Sequence, residues 1–325
     1  MTLGQLFLSS AGVNAFTSTN CCCCASVLSG HRTQHIKPIS FASSPFANWG
    51  GCCIDKEQNA FKRGNAEMIA EWPKIPGAQL PFLWANKHNA AVLRKVLHPE
   101  KGDSAEKLTE AEEKAFKEST RGGCQTVKMA GMLFDNSDDS KGQGDRHTDY
   151  FRMLYGKGDR RFPDVWNTRF GSHGEAAVEL IKHLDVYLKF ARDIRLSKKQ
   201  WQFTNIEGNL VHSLQDLSTL TELGATVIYR MIIAAIYMKM VQGKDFNPLD
   251  LGPLHEQVQT HIQRLLDNPD VIFGENMTYA TAALDGRKNP EGSWDNPQTM
   301  QAVFAMRRML SHLEAITMAF FPAAL

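Results

Sequence analysis

Residues 223–241 read Leu-Gly-Ala-Thr-Val-Ile-Tyr-Arg-Met-Ile-Ile-Ala-Ala-Ile-Tyr-Met-Lys-Met-Val. A helix that is apolar nearly all round has no face to give to water, so the rest of the chain must wrap it. Arg230 and Lys239 interrupt the run, and the stretches between them are too short to span a bilayer. The expectation is a central buried helix in a multi-helix fold, with no transmembrane segment.

The surrounding sequence is rich in helix starts. Four Ser/Thr-x-x-Glu boxes occur, at Thr109/Glu112, Ser172/Glu175, Thr204/Glu207 and Thr219/Glu222. In such a box the hydroxyl accepts an amide of the first turn and the Glu reaches back to the cap amide. After Ser172 the apolar stripe is Ala177, Leu180, Ile181, Leu184, Leu188 and Ala191; after Thr204 it is Ile206, Leu210, Leu214 and Leu217. Gly252-Pro253 and Asn296-Pro297 place proline in a first helical turn, followed by Leu254, Val258, Ile262, Leu265 and by Met300, Val303, Phe304, Leu310, Leu313, Thr317, Phe320. Earlier helices are expected over 56–71, 87–97 and 149–155. No run of alternating β-branched residues bounded by turns is present. The fold class that follows is all-α, an irregular multi-helix bundle with a disordered N-terminal extension.

Loops are read at 98–105, at the polar Gly-rich stretch 135–147 and at 285–297. They divide the chain into an extension over 1–48, disordered or mispredicted, a loosely packed helical fringe over 49–134, and a helical domain over 148–325. Residues 1–54 contain no Asp or Glu, as in a transit peptide, but the basic Arg32 and Lys37 come late and no basic stretch precedes Leu3–Leu8. The cysteines are confined to 21–24, 52, 53 and 124. Four in succession cannot form a disulfide framework, so an intracellular setting, nuclear or cytoplasmic, is expected. Cys21–Cys24 with His31 and His35 lack the paired spacing of a zinc site. The formal net charge of +1 gives no overall pull toward nucleic acid or membrane.

Most chemistry-bearing patterns fail on spacing. His255 and His261 are six residues apart, where two metal ligands on one helix face need four. Asp135, Asp138, Asp139 and Asp145 lack the alternation and closing Glu of a calcium loop. Gly142-Gln-Gly144 and Gly156-Lys-Gly158 are too short for a phosphate loop. Arg160, Arg161 and Arg169 flank the helix start at Ser172, where free amides and guanidinium groups could meet a phosphate. The alternative is that Arg169 braces its loop and lies over Trp166 or Phe170.

Two patches resemble a known family. Cys52-Cys53-Ile54-Asp55-Lys56-Glu57-Gln58-Asn59 is similar to the Cys-x-x-His-x-Leu-Asn segment that follows the second catalytic Asp of hAT-superfamily transposases. Thr168-Arg169-Phe170-Gly171-Ser172 is similar to Thr-Arg-Trp-x-Ser of their helical insertion domain, and Leu251-Gly252-Pro253-Leu254 and Asn268-Pro269-Asp270 resemble transposon-derived fungal open reading frames. The resemblance spans roughly 50–321. It implies an RNase H-like core with three acidic metal ligands around a helical insertion. Asp55 stands where the family has His, Asn59 lies one position further along, and the first and third acids have no counterpart. No catalytic residue and no cofactor is therefore carried over. The expectations are a non-catalytic transposase-derived helical protein, a remnant or domesticated interaction module. The alternatives are a nucleic-acid-binding module contacting DNA through Arg160, Arg161, Arg169 and Ser172, or an enzyme with an inter-helical pocket. Apolar residues near the end (Phe320, Phe321, Leu325) raise the further expectation of self-association.

Overall fold

The computed structural model describes residues 53–94, 108–135, 142–156, 161–165, 171–244 and 246–322. The expectations for the N-terminal extension, the Cys21–Cys24 run and the loop at 98–105 fall outside these residues. The fold is all-α. Helix α1 (Cys53–Glu71) runs into a short 3-10 helix at Trp72–Lys74. Then come strand β1 (Leu83–Trp84), α2 (Lys87–Val92), α3 (Glu110–Glu118), strand β2 (Thr120–Arg121), α4 (Gly122–Phe134) and α5 (Gly144–Tyr155). The second half holds α6 (Ser172–Lys182), α7 (Leu184–Ser197), α8 (Asn205–Ser213) and α9 (Leu217–Tyr229). A five-residue π-turn, Arg230–Ala234, joins α9 to α10 (Ala235–Gln242). The chain continues through α11 (Leu251–Asp267), the single turns α12 (Asp270–Phe273) and α13 (Tyr279–Ala282), α14 (Pro297–Met306) and α15 (Leu313–Phe320). The strands form one two-residue antiparallel bridge, Leu83 opposite Arg121 and Trp84 opposite Thr120.

The apolar helix is central, as its composition demands. Helices α4, α6, α14 and α15 pack on α9, and α1 packs on α15. Leu223, Val227, Ile228 and Ile232 have no exposed surface, each worth about 2 kcal/mol of burial. The continuous helical stretch Leu217–Gln242 is long and apolar enough to cross a membrane, but 78% of its most apolar window is buried inside the fold. One buried cluster takes residues from both sides of 135–147, including Met68, Trp72, Phe134, Phe151, Leu180 and Phe320.

Two capping boxes form as read. The Glu112 amide donates to Thr109 Oγ1 at 3.3 Å and the Thr109 amide to Glu112 Oε2 at 2.8 Å. Thr204 and Glu207 repeat the exchange. The other two do not form, because their glutamates have distant partners. Glu175 accepts from Arg230 Nη2 at 2.8 Å, Gly171 caps α6 with φ of +86°, and Ser172 is the first helical residue. Glu222 accepts from Trp72 Nε1 at 2.8 Å and from the Gly123 amide at 2.6 Å, while Asp216 caps α9 by accepting the Thr219 amide at 2.8 Å.

Other boundaries shift for local reasons. The single helix expected after Ser172 breaks at His183, and beyond the break the buried face turns to Tyr187, Phe190, Ala191 and Ile194. Leu217 starts α9 instead of ending the previous stripe and is half exposed. The stripe expected after Asn296-Pro297 divides into α14 and α15. The 135–147 loop ends early, since α5 starts at Gly144 and His147 is fully buried. Its ring stacks on Phe151 and meets Tyr187 Oη at 2.9 Å. Phe320 and Phe321 are fully buried, so neither offers an apolar surface for association; Leu325 lies outside the described residues.

Phe320 reaches its place through Gly64 in the middle of α1. A Cβ there would lie 2.5 Å from the Phe320 ring. Gly64→Ala should gain about 1 kcal/mol of helix propensity and lose about 3 kcal/mol to overpacking, a net loss of roughly 2 kcal/mol. Thermal melts of Gly64→Ala, Phe320→Leu and the pair check this. The pair should lose less than the two single changes added together, and strict additivity would refute the contact.

Candidate functional site

Lys56, Asn59, Ala60 and Arg63 recur at helical spacing on α1 and therefore share one face. That face lines a cavity of about 370 Å³. Ile233, Ala234 and Tyr237 contribute from the π-turn and α10, and His255, Val258 and Gln259 from one face of α11. The remaining lining residues, Glu57 and Tyr229, are buried.

The π-turn shapes this wall. The Ala235 amide donates to the Arg230 carbonyl, five residues back, so the helix is locally widened by one residue. The Ile232 carbonyl accepts a tertiary bond from the Leu284 amide at 3.0 Å. Such insertions often lie at functional sites. Arg230 is the first residue of the turn. Its stem lies over Gly174 and its guanidinium beside Gly171, where it meets Glu175.

Burial pushes the Glu57 carboxyl up to about 7; Arg230 opposes the shift and Glu175 adds to it. Among the described residues Glu57 has no hydrogen-bond partner. The Tyr229 hydroxyl is pushed far up by burial and then by Glu57, with Arg230 opposing. His255 is pulled down by burial and then by the Lys56 charge, which favours a neutral imidazole at neutral pH. Its Nε2 lies 3.1 Å from Tyr237 Oη. Lys56 is half-buried and Arg63 exposed, and among the described residues neither makes an ion pair. Near neutrality Glu57 can donate a hydrogen bond or accept one, and a carboxyl titrating there suits proton transfer.

Of the residues expected at a phosphate site, Arg161 and Ser172 are among the described residues. Arg160 and Arg169 lie outside the described residues. Arg161 is exposed and lines a surface hollow with Asp135, Asp145, Asp149 and Arg152. Ser172 is 5% exposed at the start of α6, and the Arg230 guanidinium lies beside the preceding Gly171. Asp138 and Asp139 lie outside the described residues. His261 is buried, its ring pulled down to about 4 by burial and then by Arg264.

The cleft residues escaped the sequence reading. The Lys56, Asn59, Ala60, Arg63 repeat was visible, but a polar helix stripe ordinarily faces water. Only the packing of α11 and the π-turn opposite makes it a wall. No protein-family model matches this sequence, and no curated protein or solved structure matches it significantly.

Proposed function

We propose that the protein binds a small molecule in the cleft between α1, the π-turn and α11, with Glu57 as the group that meets it. The observation that carries this reading is the Glu57 side chain, 6% exposed and with no hydrogen bond among the described residues, in the lining of a cavity of about 370 Å³. A concave, partly apolar site with a few convergent polar groups and a perturbed titration is the usual form of a ligand or active site. The Glu57 carboxyl and the neutral His255 imidazole equip the cleft for acid–base chemistry.

A thermal-shift screen of small molecules tests the proposal. A ligand at a hundred times its Kd should add about 2.7 kcal/mol of stability. Ala60→Phe fills the cleft from α1 and should abolish the shift. A shift that persists undiminished in Ala60→Phe would place the ligand elsewhere and defeat the reading.

The second reading comes from the resemblance: a non-catalytic, transposase-derived module that keeps DNA contacts along Arg160, Arg161, Arg169 and Ser172. Its support beyond sequence is a guanidinium, that of Arg230, beside the first turn of α6. The Glu175 partner of Arg230 and the net charge of +1 weigh against it. Fluorescence anisotropy with duplex and single-stranded DNA at two salt concentrations decides. This reading expects binding that weakens steeply with salt and on Arg169→Ala. A folded sample that binds neither DNA at low salt removes it.

A further inference from the structure

The cleft carries a charge asymmetry that says more about its occupant. Lys56 and Arg63 stand seven residues apart on one face of α1, about 10 Å along the helix axis. Glu67 lies one turn beyond Arg63, yet the two make no ion pair among the described residues. Among the described lining residues the only carboxyl is that of Glu57, and its burial keeps it partly protonated at neutral pH. The Lys56 charge reaches across the cleft, since it helps hold His255 neutral. Asn59 and Gln259 add amide donors, while Ala60, Ile233, Ala234 and Val258 supply apolar surface. A cleft with low-dielectric walls concentrates the field of such cations.

We infer that the cleft takes an organic anion, with its anionic group directed to Lys56 and Arg63 and its apolar body against Ile233, Ala234 and Val258. The inference rests on the cleft being the ligand site. A cationic ligand would meet two like charges, and a neutral one would leave the half-buried Lys56 without a partner.

The test uses two fluorescent probes on the full chain: anilinonaphthalene sulfonate, and phenylnaphthylamine, which has the same rings without the sulfonate. Three proteins are compared, the wild type, Lys56→Gln/Arg63→Gln and Ala60→Phe. A cooperative unfolding transition in each confirms that binding is read from folded protein. The sulfonate should bind the wild type at one saturable site, at least about tenfold tighter than the amine. The double variant should lose roughly tenfold for the sulfonate and leave the amine unchanged. Ala60→Phe should weaken both.

Equal affinity of the two probes for the wild type, or unchanged sulfonate binding by Lys56→Gln/Arg63→Gln, overturns the anion inference while leaving the cleft as a ligand site. Sulfonate binding that is unaltered in Ala60→Phe, or no saturable binding of either probe, overturns the cleft reading and the inference with it.

Discussion

Glu222→Leu should destabilise the protein by about 4 kcal/mol, because it strands two buried donors at about 2 kcal/mol each. The Trp72 indole N–H and the Gly123 amide both end on the Glu222 carboxyl. The first belongs to the turn that closes α1 and the second to the start of α4, so one side chain ties both elements to the central helix. Burial pushes its carboxyl up to about 7 despite those two bonds, which pull it down. Gly122 leaves room for it: a Cβ there would sit 2.0 Å from Glu222 Oε2, and φ of +85° is a region that glycine tolerates. Glu222→Gln keeps one acceptor and turns a donor toward the other N–H, so its loss should be about half as large. Urea unfolding of both variants gives the numbers. A shift of Glu222→Leu below about 0.5 kcal/mol, the range of an ordinary surface change, would mean that the three elements are held by other contacts.

The second large effect is a pH dependence that Glu57→Gln should remove. The Glu57 carboxyl titrates at its ordinary value of 4.5 when unfolded and at about 7 when folded. Below pH 4.5 it is protonated in both states and costs nothing. Between pH 4.5 and 7 the folded state holds a proton that the unfolded state has released, so stability falls as pH rises. Above pH 7 the loss is constant, at about 3 kcal/mol. Glu222 shifts in the same direction. His147, His173 and His261, each pulled down to about 4, work oppositely and lose stability as pH falls through 6.5 to 4. These groups titrate in both proteins and largely cancel when Glu57→Gln is compared with wild type. The variant's advantage should therefore grow from near zero at pH 4.5 to about 3 kcal/mol at pH 8. A difference that stays flat across this range would mean that Glu57 is not held in a dry environment.

The sequence carries the all-α class and the identity of the core helix, because both follow from periodicity and composition within a few turns. Capping by Thr109 and Thr204 is equally local, with both partners three residues apart. Glu175 and Glu222 have the same local pattern, but their partners lie 55, 99 and 150 residues away in Arg230, Gly123 and Trp72. For Glu222 the donors are buried, and a buried donor without an acceptor is costlier than an uncapped helix start; no local pattern reveals where such a donor will fall. The cleft is hidden for a related reason. Tyr237 and His255 sit on different helices, and the π-turn that sets their relation has no marker in Arg-Met-Ile-Ile-Ala. His255 was legible only as half of a metal spacing that fails.

The π-turn also fixes a phase. Each residue of a helix advances the face by about 100°, so one residue more than regular winding requires leaves α9 and α10 out of step by about that angle. The first segment can thus present its apolar sides to four neighbours while the second turns Tyr237 toward His255. Deleting a single residue between Arg230 and Ala234 would bring the two segments back into step and swing Tyr237 away from α11. Length, at that one position, governs which residues face the cleft.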